Sequence, residues 1–450
     1  MTPTTRRQKF AMLAMMCAAG HHHLRTRRLA GDAGIKKKRL PNKHRDREGA
    51  LRDIGELSDP SFKSRFRMSR SRFAALLFEI RHDLERNVQK AKNSSKYPVY
   101  PYLQLCIGLR YLAGGSYLDI SDAYRVHEST VRPVVWRVIR AINKNVRNVS
   151  FPYKDAKKLQ EHAKTFFAVS EELLGTVAAG DGVALNIQCP ESSEVAGDVR
   201  SQFSRKGFYT YSVLMFCDAL QRIMVASCIT CGSTNDGLQY GSSWLHDIID
   251  KGQLHPQFHV VLDEAFKCTN QELSAHPRVK APAVLSDAKD AFNYYLSLHR
   301  QVIERCFALF VWRWGIFWRP IRNKFGSVHE IVECCCCLHN WCQEETEVVN
   351  IMKAFRPNQA FDVALLTQIQ QHDPSDLNWR RINESEQPSV IIHHPSDPLV
   401  WIPGENRRGE RENRESKRAM FTRDMEQRGL KRPKHSAEAR KKRLQVNADD

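Results

Sequence analysis

The sequence contains no apolar stretch long enough to cross a membrane as a helix, and it contains no internal repeat. The first absence argues against a membrane-spanning helix, which needs about 20 mostly apolar residues. The second argues against a repeat array, in which each unit packs on a similar neighbour. The 13 cysteines are odd in number and form no repeating framework, which favours a reducing compartment over a disulfide-built scaffold.

Two groups of cysteines have a spacing that is also found at zinc sites. Cys228 and Cys231 form a C-x-x-C pair, and the run Cys334–Cys337 is followed by His339. A structural zinc site needs a second ligand pair and a loop to carry it. Cys228 lies instead in a strand-like run and Cys334–Cys337 in a helix-like run, where cysteine acts as a small apolar residue. We therefore interpret both groups as packing residues.

Basic residues exceed acidic ones, with 69 Lys and Arg against 50 Asp and Glu and a net charge of +19. Such an excess favours a polyanionic partner, because clustered cations neutralise phosphates and release their counterions. The densest clusters lie near the ends, at Lys36–Arg39, Lys431–Lys434 and Arg440–Arg443. We interpret them as nuclear-import signals and predict a nuclear protein that binds DNA. The alternative is that they are solvated, charged tails.

The chain divides into five predicted regions. A basic disordered arm covers residues 1–55, and a helical region covers residues 56–150. A mixed strand-and-helix domain covers residues 160–345. A variable extension at 346–403 precedes a basic flexible tail at 404–450. The predicted fold class is α/β, with a mixed-sheet domain preceded by an all-α region.

The helical region contains the pattern of a helix-turn-helix. Apolar periodicity predicts helices over Leu103–Ala113, Ser116–Tyr124 and Ser129–Asn143, with a tight turn before the third. The third helix would expose cations to DNA. These cations are Arg132, Arg137 and Arg140. Pro133 is better tolerated in a first turn than in a helix interior, which favours a later helix start. A plain three-helix packing module is the alternative interpretation.

Three acidic residues in the mixed domain have a context that predicts chemistry. Asp181 and Asp263 each end an apolar, strand-like run, and Glu304 lies in a helix-like segment. Carboxylates at the ends of buried neighbouring strands repel each other unless a cation lies between them. Mg²⁺ prefers such hard oxygen ligands. Taken singly, each acid is better explained as an ordinary strand-end or surface residue, but the strand–strand–helix order resembles an RNase H-like active site.

Six motifs in this domain also resemble, in the same order, the transposase domain of Harbinger-type elements, including their plant-type and oomycete-like relatives. The resemblance covers most of residues 60–345. In chain order the motifs are Gly180-Asp181-Gly182, Arg205-Lys206-Gly207 with Cys217-Asp218, Gly232-Ser233 with Asp236, Asp263 with Phe266, Phe292-Asn293 through Ile303-Glu304-Arg305 to Arg313-Trp314, and Leu338-His339-Asn340. The chain departs from the family at Ala184, Leu262 and Ala308, and none of these changes removes a carboxylate.

The resemblance implies a DDE transposase, or a nuclease derived from one, that uses Mg²⁺ or Mn²⁺. It assigns Asp181, Asp263 and Glu304 as catalytic metal ligands. It also implies a separate Myb-like DNA-binding partner, and joining two DNA ends would need at least a dimer. The residues expected to contact DNA phosphates in this domain are Arg205, Lys206 and Arg300. For Arg205 and Lys206 an exposed cationic turn is the equal alternative.

Two other interpretations stay open. A domesticated DNA-binding protein would act without chemistry, and a structure-specific nuclease would apply the same chemistry to another DNA substrate. Three tryptophans of the domain are predicted to lie in the core rather than to stack on bases. These are Trp312, Trp314 and Trp318. Asp218 and Asp236 are interpreted as turn residues rather than as metal ligands.

Overall fold

The computed structural model describes residues 46–85, 99–195, 198–204, 206–229, 240–277, 285–354, 391–392 and 416–433. Several predictions fall outside these ranges, namely those on the arm before residue 46, on Arg205, on Cys231 to Asp236 and on Arg440–Arg443. Within the described ranges, no helix is both long enough and apolar enough to cross a bilayer.

Eleven helices are described, and most begin at a side chain that caps a free backbone N–H group. They are α1 (Arg47–Gly55), α2 (Asp59–Phe66), α3 (Arg70–Leu84), α4 (Pro101–Leu112), α5 (Tyr117–Ala123), α6 (Glu128–Asn145), α7 (Ala156–Ser170), α8 (Trp244–Asp250), α9 (Asp287–Arg313), α10 (Val328–Ala354) and α11 (Lys417–Gln427). Short 3₁₀ turns cover Val199–Gln202, Gly315–Trp318 and Phe325–Ser327.

Six strands form one mixed sheet in the order β5-β4-β1-β2-β3-β6. They are β1 (Thr176–Asn186), β2 (Thr210–Cys217), β3 (Ile223–Ile229), β4 (His259–Val261), β5 (Glu272–Leu273) and β6 (Ile391–Ile392). Strands β1, β2 and β3 are antiparallel neighbours, whereas β4 runs parallel to β1 and β5 parallel to β4. This mixed α/β arrangement is compatible with the predicted RNase H-like domain.

The helical region and the sheet share one hydrophobic core, which extends from Ile54 to Cys342. Polar contacts join the two regions at the edge of this core. The indole N–H of Trp341 donates to the Arg72 carbonyl at 3.1 Å, and Arg72 Nε donates to the Trp341 carbonyl at 3.1 Å. The Arg72 guanidinium also lies over the Trp341 ring. The core therefore continues across the predicted boundary between residues 150 and 160.

Three helices lie where the helix-turn-helix pattern predicts them, but their details differ. Helix α6 begins at Glu128, so Pro133 lies inside it rather than before it. The predicted apolar face of this helix is buried, from Val131 to Ile139. In α5, Ile120 is buried as predicted, whereas Leu118 is 61% exposed. The inward orientation predicted for Leu118 is wrong, because a helix of two turns can bury only one narrow face.

Both predicted flexible ends contain ordered structure next to the core. Helix α1 lies within the expected disordered arm, and Ala50 and Ile54 are buried there. Helix α11 lies within the expected flexible tail and packs on α9, where Met425 is fully buried. Disorder was therefore the wrong expectation for Arg47–Gly55, and Lys417–Gln427 is a helix within the tail predicted to be flexible. A few apolar side chains complete the core there, and they are hidden in the sequence among many charged residues.

Candidate active site

Asp181 lies in the middle of β1, not at its end as predicted. The strand continues to Asn186, because residues 179–186 pair without interruption with β2. Gly180, before the acid, approaches the Phe216 ring so closely that a Cβ atom would lie 2.2 Å from a ring carbon. A side chain at residue 180 would therefore move β1 away from its neighbour. One carboxylate oxygen of Asp181 accepts the N–H of Gly182 at 2.8 Å.

Asp263 lies two residues beyond the end of β4, close to where the sequence predicts it. The parallel pairing of β1 and β4 aligns Ala179 with Val261. Asp181 lies two residues after Ala179, and Asp263 lies two residues after Val261. The two acids therefore lie beyond the same end of the paired segment. Asp263 accepts the N–H of Glu264 at 2.7 Å, and its side chain is 38% exposed.

Glu304 lies on α9, which packs against β1 and β4. One guanidinium joins this acid to the second aspartate. Arg300 NH1 donates to Asp263 Oδ1 at 2.6 Å, and Arg300 NH2 donates to Glu304 Oε1 at 2.8 Å. Arg300 is one helical turn before Glu304, which brings both side chains to the same face of α9. The structure therefore brings Asp263, Glu304 and Arg300 together at the edge of the sheet that the carboxyl end of β4 forms.

A buried hydrogen-bond network fixes α9 against the strands. The Thr176 hydroxyl lies 2.9 Å from Nε2 of His259 and 3.1 Å from Nδ1 of His299, and it donates to the Leu173 carbonyl at 3.0 Å. A hydroxyl has one proton, so it accepts from both imidazoles. Nε2 of His299 lies 2.8 Å from the Ser170 hydroxyl. This network joins α9 to β1 and β4 immediately beside Arg300.

Both histidines in this network are held in the neutral form. Burial lowers the pKa of His299 to about 4. The pKa of His259 is lowered well below its ordinary value, first by burial and then by the charge of Lys417. A charged imidazole would lose its hydration there without gaining a carboxylate partner. These histidines are therefore structural groups rather than proton carriers.

The acidic side chains at the sheet edge are of the type that binds divalent cations. Asp263 and Glu304 present carboxylate oxygens, which Mg²⁺ and Mn²⁺ prefer. They already share one cation, the Arg300 guanidinium. In the described part of the chain, no three His, Cys, Asp or Glu side chains are grouped as ligands around one point. The residue types therefore fit a metal, with Arg300 lying between two of the predicted ligands.

The cations predicted to contact DNA have different surroundings. On α6, Arg132 is exposed and lies over the Tyr117 ring at 5.0 Å. Arg137 donates to Gln104 Oε1 at 2.7 Å, and Arg140 Nε donates to Glu330 Oε2 at 2.8 Å. Arg137 and Arg140 thus contact α4 and α10, and the predicted DNA contacts of all three arginines stay predictions.

Lys206 is exposed in the turn before β2. Ile187 pairs with Tyr209, so this turn lies beyond the end of β1. Five residues of strand separate Asp181 from Asn186, which corresponds to about 17 Å. The turn is therefore well removed from the acids, and its predicted phosphate contact requires DNA to extend along β1.

Other residues from the sequence motifs have structural roles. Asp218 is buried and accepts the N–H groups of Leu220 and Arg222 at 3.0 and 2.8 Å, which confirms its predicted turn role. Trp314 is fully buried as expected. Trp312 and Trp318 are 67% and 56% exposed, so their assignment to the core was wrong. Trp314 follows the last residue of α9 and is buried, whereas Trp318, at the end of the next turn, is exposed.

Cysteines that resembled zinc ligands act as small apolar residues in the described structure. Cys334–Cys337 are fully buried in α10, and Cys228 is fully buried in β3. Burial raises the pKa of Cys335 and Cys336 well above the ordinary value. A thiolate is therefore disfavoured at these positions.

Sequence reasoning missed the residues that orient the helix of the third acid. Thr176 and His259 lie at the starts of β1 and β4, and neither belongs to a recognised motif. The one available signal was polarity, because a histidine and a threonine begin runs that are otherwise apolar. His299 was quoted in a motif, but its contacts depend on the pairing of strands that are distant in sequence.

The mixed sheet, with one acid after β4 and another on α9, is compatible with an RNase H-like domain. Residues 180–340 match the family model of the DDE superfamily endonuclease. The match begins one residue before Asp181, includes Asp263 and Glu304, and ends at Asn340. It supports a DDE transposase-like family and implies a DNA substrate. A search of curated proteins gave no match, and neither did a search of solved structures.

Proposed function

We propose that this chain is a metal-dependent DNA endonuclease of the transposase type, from the Harbinger branch. Asp181, Asp263 and Glu304 would bind Mg²⁺ or Mn²⁺. The observation that carries this proposal is the position of the three acids. Asp181 and Asp263 each lie two residues beyond the last paired position of β1 and β4, and Arg300 links Asp263 to Glu304. Harbinger membership rests on the order of the six sequence motifs.

Bound divalent cations would supply activation of the attacking water and stabilisation of the leaving oxygen, roles that two ions about 3.5–4 Å apart can divide between them. The protein's own part is to hold the ligands. Strand β1 fixes Asp181 through its pairing with Met215 of β2, and the Thr176 network fixes the helix that carries Glu304. Asp263 follows a short strand and has the turn N–H of Glu264 as a partner. Strand transfer would use the same ligands with a DNA hydroxyl in place of water.

We further propose nuclear action on DNA with a Myb-like partner and a second copy of the chain. The basic excess and the import-like clusters support the nuclear assignment. Lys431 and Arg432 of one cluster are paired with Asp287 and Asp290, at 2.7 and 3.2 Å. Import through Lys431–Lys434 would therefore compete with these ion pairs.

The alternative function is a domesticated protein that binds DNA without cutting it. The observation that favours it is the Arg300 contact, because a cation already lies between two of the proposed metal ligands. The exposed Arg132 would then contribute to binding, and the acids would have no role beyond their ion pairs. A structure-specific nuclease differs from the first proposal only in its DNA substrate.

Nicking of supercoiled plasmid by the purified full-length chain, with Mg²⁺ or Mn²⁺, separates these functions. The variants are Asp181→Asn and Glu304→Gln, and the matched control is Asp247→Asn, an exposed acid on α8 that pairs with Lys251. The endonuclease proposal predicts nicking by wild type and control and none by the two site variants. DNA binding without nicking, also after addition of a Myb-like partner, would establish the domesticated function instead.

A further inference from the structure

Arg300 links the carboxylates of Asp263 and Glu304, as a divalent metal ion bound to both acids would. Its two terminal nitrogens each donate to a different carboxylate, at 2.6 Å to Asp263 and at 2.8 Å to Glu304. Its side chain is only 24% exposed, less than either acid. Nε of Arg300 is buried and has no hydrogen-bond partner within the described structure. The position of the guanidinium is therefore set by the two carboxylates.

We propose that Arg300 is a positioning residue that substitutes for the metal in the metal-free protein and moves to the DNA phosphate when metal binds. The inference rests on the proposed function. Without a cation, Asp263 and Glu304 would repel each other, and Arg300 holds them in place. A divalent ion at the same carboxylates would repel the guanidinium, since two positive centres a few ångströms apart interact strongly at a partly buried site.

The chemistry of arginine fits both positions. A guanidinium is planar, remains charged and forms paired hydrogen bonds with carboxylates and with phosphates. The displaced side chain stays tethered to α9, whose position is fixed by His299, so it can reach only groups near the sheet edge. A phosphate held at the metal site is such a group. This role would make DNA binding and metal binding mutually reinforcing at this site.

Mn²⁺ binding to the full-length chain without DNA tests the first half of the inference. Free Mn²⁺ is measured by its electron paramagnetic resonance signal in titrations of wild type, Arg300→Gln, Arg300→Lys and Arg305→Gln. Arg305 is the matched control, because it is exposed on the same helix and contacts Gln301 rather than an acid. Asp263→Asn identifies the site, since its loss of Mn²⁺ binding assigns the signal to these carboxylates.

Arg300→Gln removes the competing charge, and we expect its Mn²⁺ affinity to exceed that of wild type about tenfold. Arg300→Lys keeps the charge and Arg305→Gln leaves the bridge intact, so both are expected to match wild type. Equal or weaker Mn²⁺ binding by Arg300→Gln would overturn the inference and leave the proposed function standing. Absence of Mn²⁺ binding from every variant would instead overturn the proposed metal site itself.

DNA affinity tests the second half. Fluorescence anisotropy with a labelled duplex is measured in EDTA and in Ca²⁺ for wild type, Arg300→Gln and Arg305→Gln. We expect Ca²⁺ to strengthen wild-type binding several-fold more than it strengthens binding by Arg300→Gln, because only wild type gains the released guanidinium. An equal gain in both proteins would overturn the transfer of Arg300 to phosphate.

Discussion

The side-chain amide of Asn340 bonds both backbone groups of Ile223. Its Oδ1 accepts the Ile223 N–H at 2.7 Å, and its Nδ2 donates to the Ile223 carbonyl at 2.7 Å. The same Nδ2 donates to the Asn148 carbonyl at 2.8 Å. One residue of α10 thus pairs with the start of β3 and with the segment after α6. The closing Leu338-His339-Asn340 motif therefore joins three parts of the fold.

Replacement of Asn340 is expected to destabilise the protein because it leaves buried backbone groups without partners. We predict that Asn340→Ala lowers the free energy of unfolding by about 2–4 kcal/mol. Asn340→Asp keeps the acceptor and loses the donors, so it should also destabilise. Urea denaturation followed by circular dichroism measures both changes. A wild-type midpoint in Asn340→Ala would show that the Ile223 pairing contributes nothing to stability.

Helix α11 offers a direct comparison between two methionines. Met425 is fully buried against α9, whereas Met420 is 56% exposed. Met425→Ala should cost about 2–4 kcal/mol of stability through the cavity it leaves. Met420→Ala should change stability by less than about 0.5 kcal/mol. Thermal melts of the two variants beside wild type measure the contrast, and equal melting temperatures would mean that α11 does not dock on α9.

Buried His299 makes the free energy of unfolding depend on pH. Its pKa in the fold is about 4, below the ordinary value of 6.5. Between these two pH values the unfolded chain binds a proton at this side chain and the folded chain does not. The contribution of this neutral side chain to the free energy of unfolding is therefore fully present above about pH 6.5. It falls towards pH 4, by up to about 1.4 kcal/mol per pH unit. His259 adds a loss of the same sign.

Chemical denaturation at pH 7.5, 6 and 5 tests the histidine prediction. His299→Gln lacks the titrating group, so its stability should be lower at pH 7.5 but should fall less steeply between pH 6 and 5. A variant with the same pH slope as wild type would show that other groups cause the acid sensitivity.

Two arginines on α6 should separate folding from DNA binding. Arg137 donates to buried Gln104, so Arg137→Ala should cost about 1–3 kcal/mol of stability. Arg132 is exposed, and its ring contact with Tyr117 should contribute little beyond about 0.5–1 kcal/mol. We predict that Arg132→Ala weakens DNA binding and reduces its salt dependence while the fold is retained. Unchanged DNA affinity in Arg132→Ala would favour a packing role for the three-helix region.

Much of the fold could be predicted because its signals are local. Apolar runs correctly predicted the positions of β2, β3 and β4, and 3.6-residue periodicity predicted α4, α5 and α6. Strand β1 was predicted too short, since polar and small residues from Gly180 onward interrupt its apolar run. Only pairing with β2 on one side explains why the chain remains extended to Asn186.

The site was predictable in its composition and not in its contacts. The acids could be selected from strand context and motif order. The Arg300 bridge was not foreseen, because its partners are 37 and 4 residues away and only α9 packing brings them together. The docking of α11 was also missed, since a basic sequence gives the same signal whether its charges are solvated or paired with acids such as Asp290.

The central claim is that Asp263 binds the catalytic metal, and the most direct test is cleavage by Asp263→Cys in two metals. Mg²⁺ strongly prefers oxygen ligands, whereas Mn²⁺ tolerates sulfur better. Plasmid nicking by this variant and by wild type is therefore compared in Mg²⁺ and in Mn²⁺. The account predicts that Asp263→Cys is inactive in Mg²⁺ and recovers part of the wild-type rate in Mn²⁺. Equal activity of the variant in both metals, near that of wild type, would contradict it.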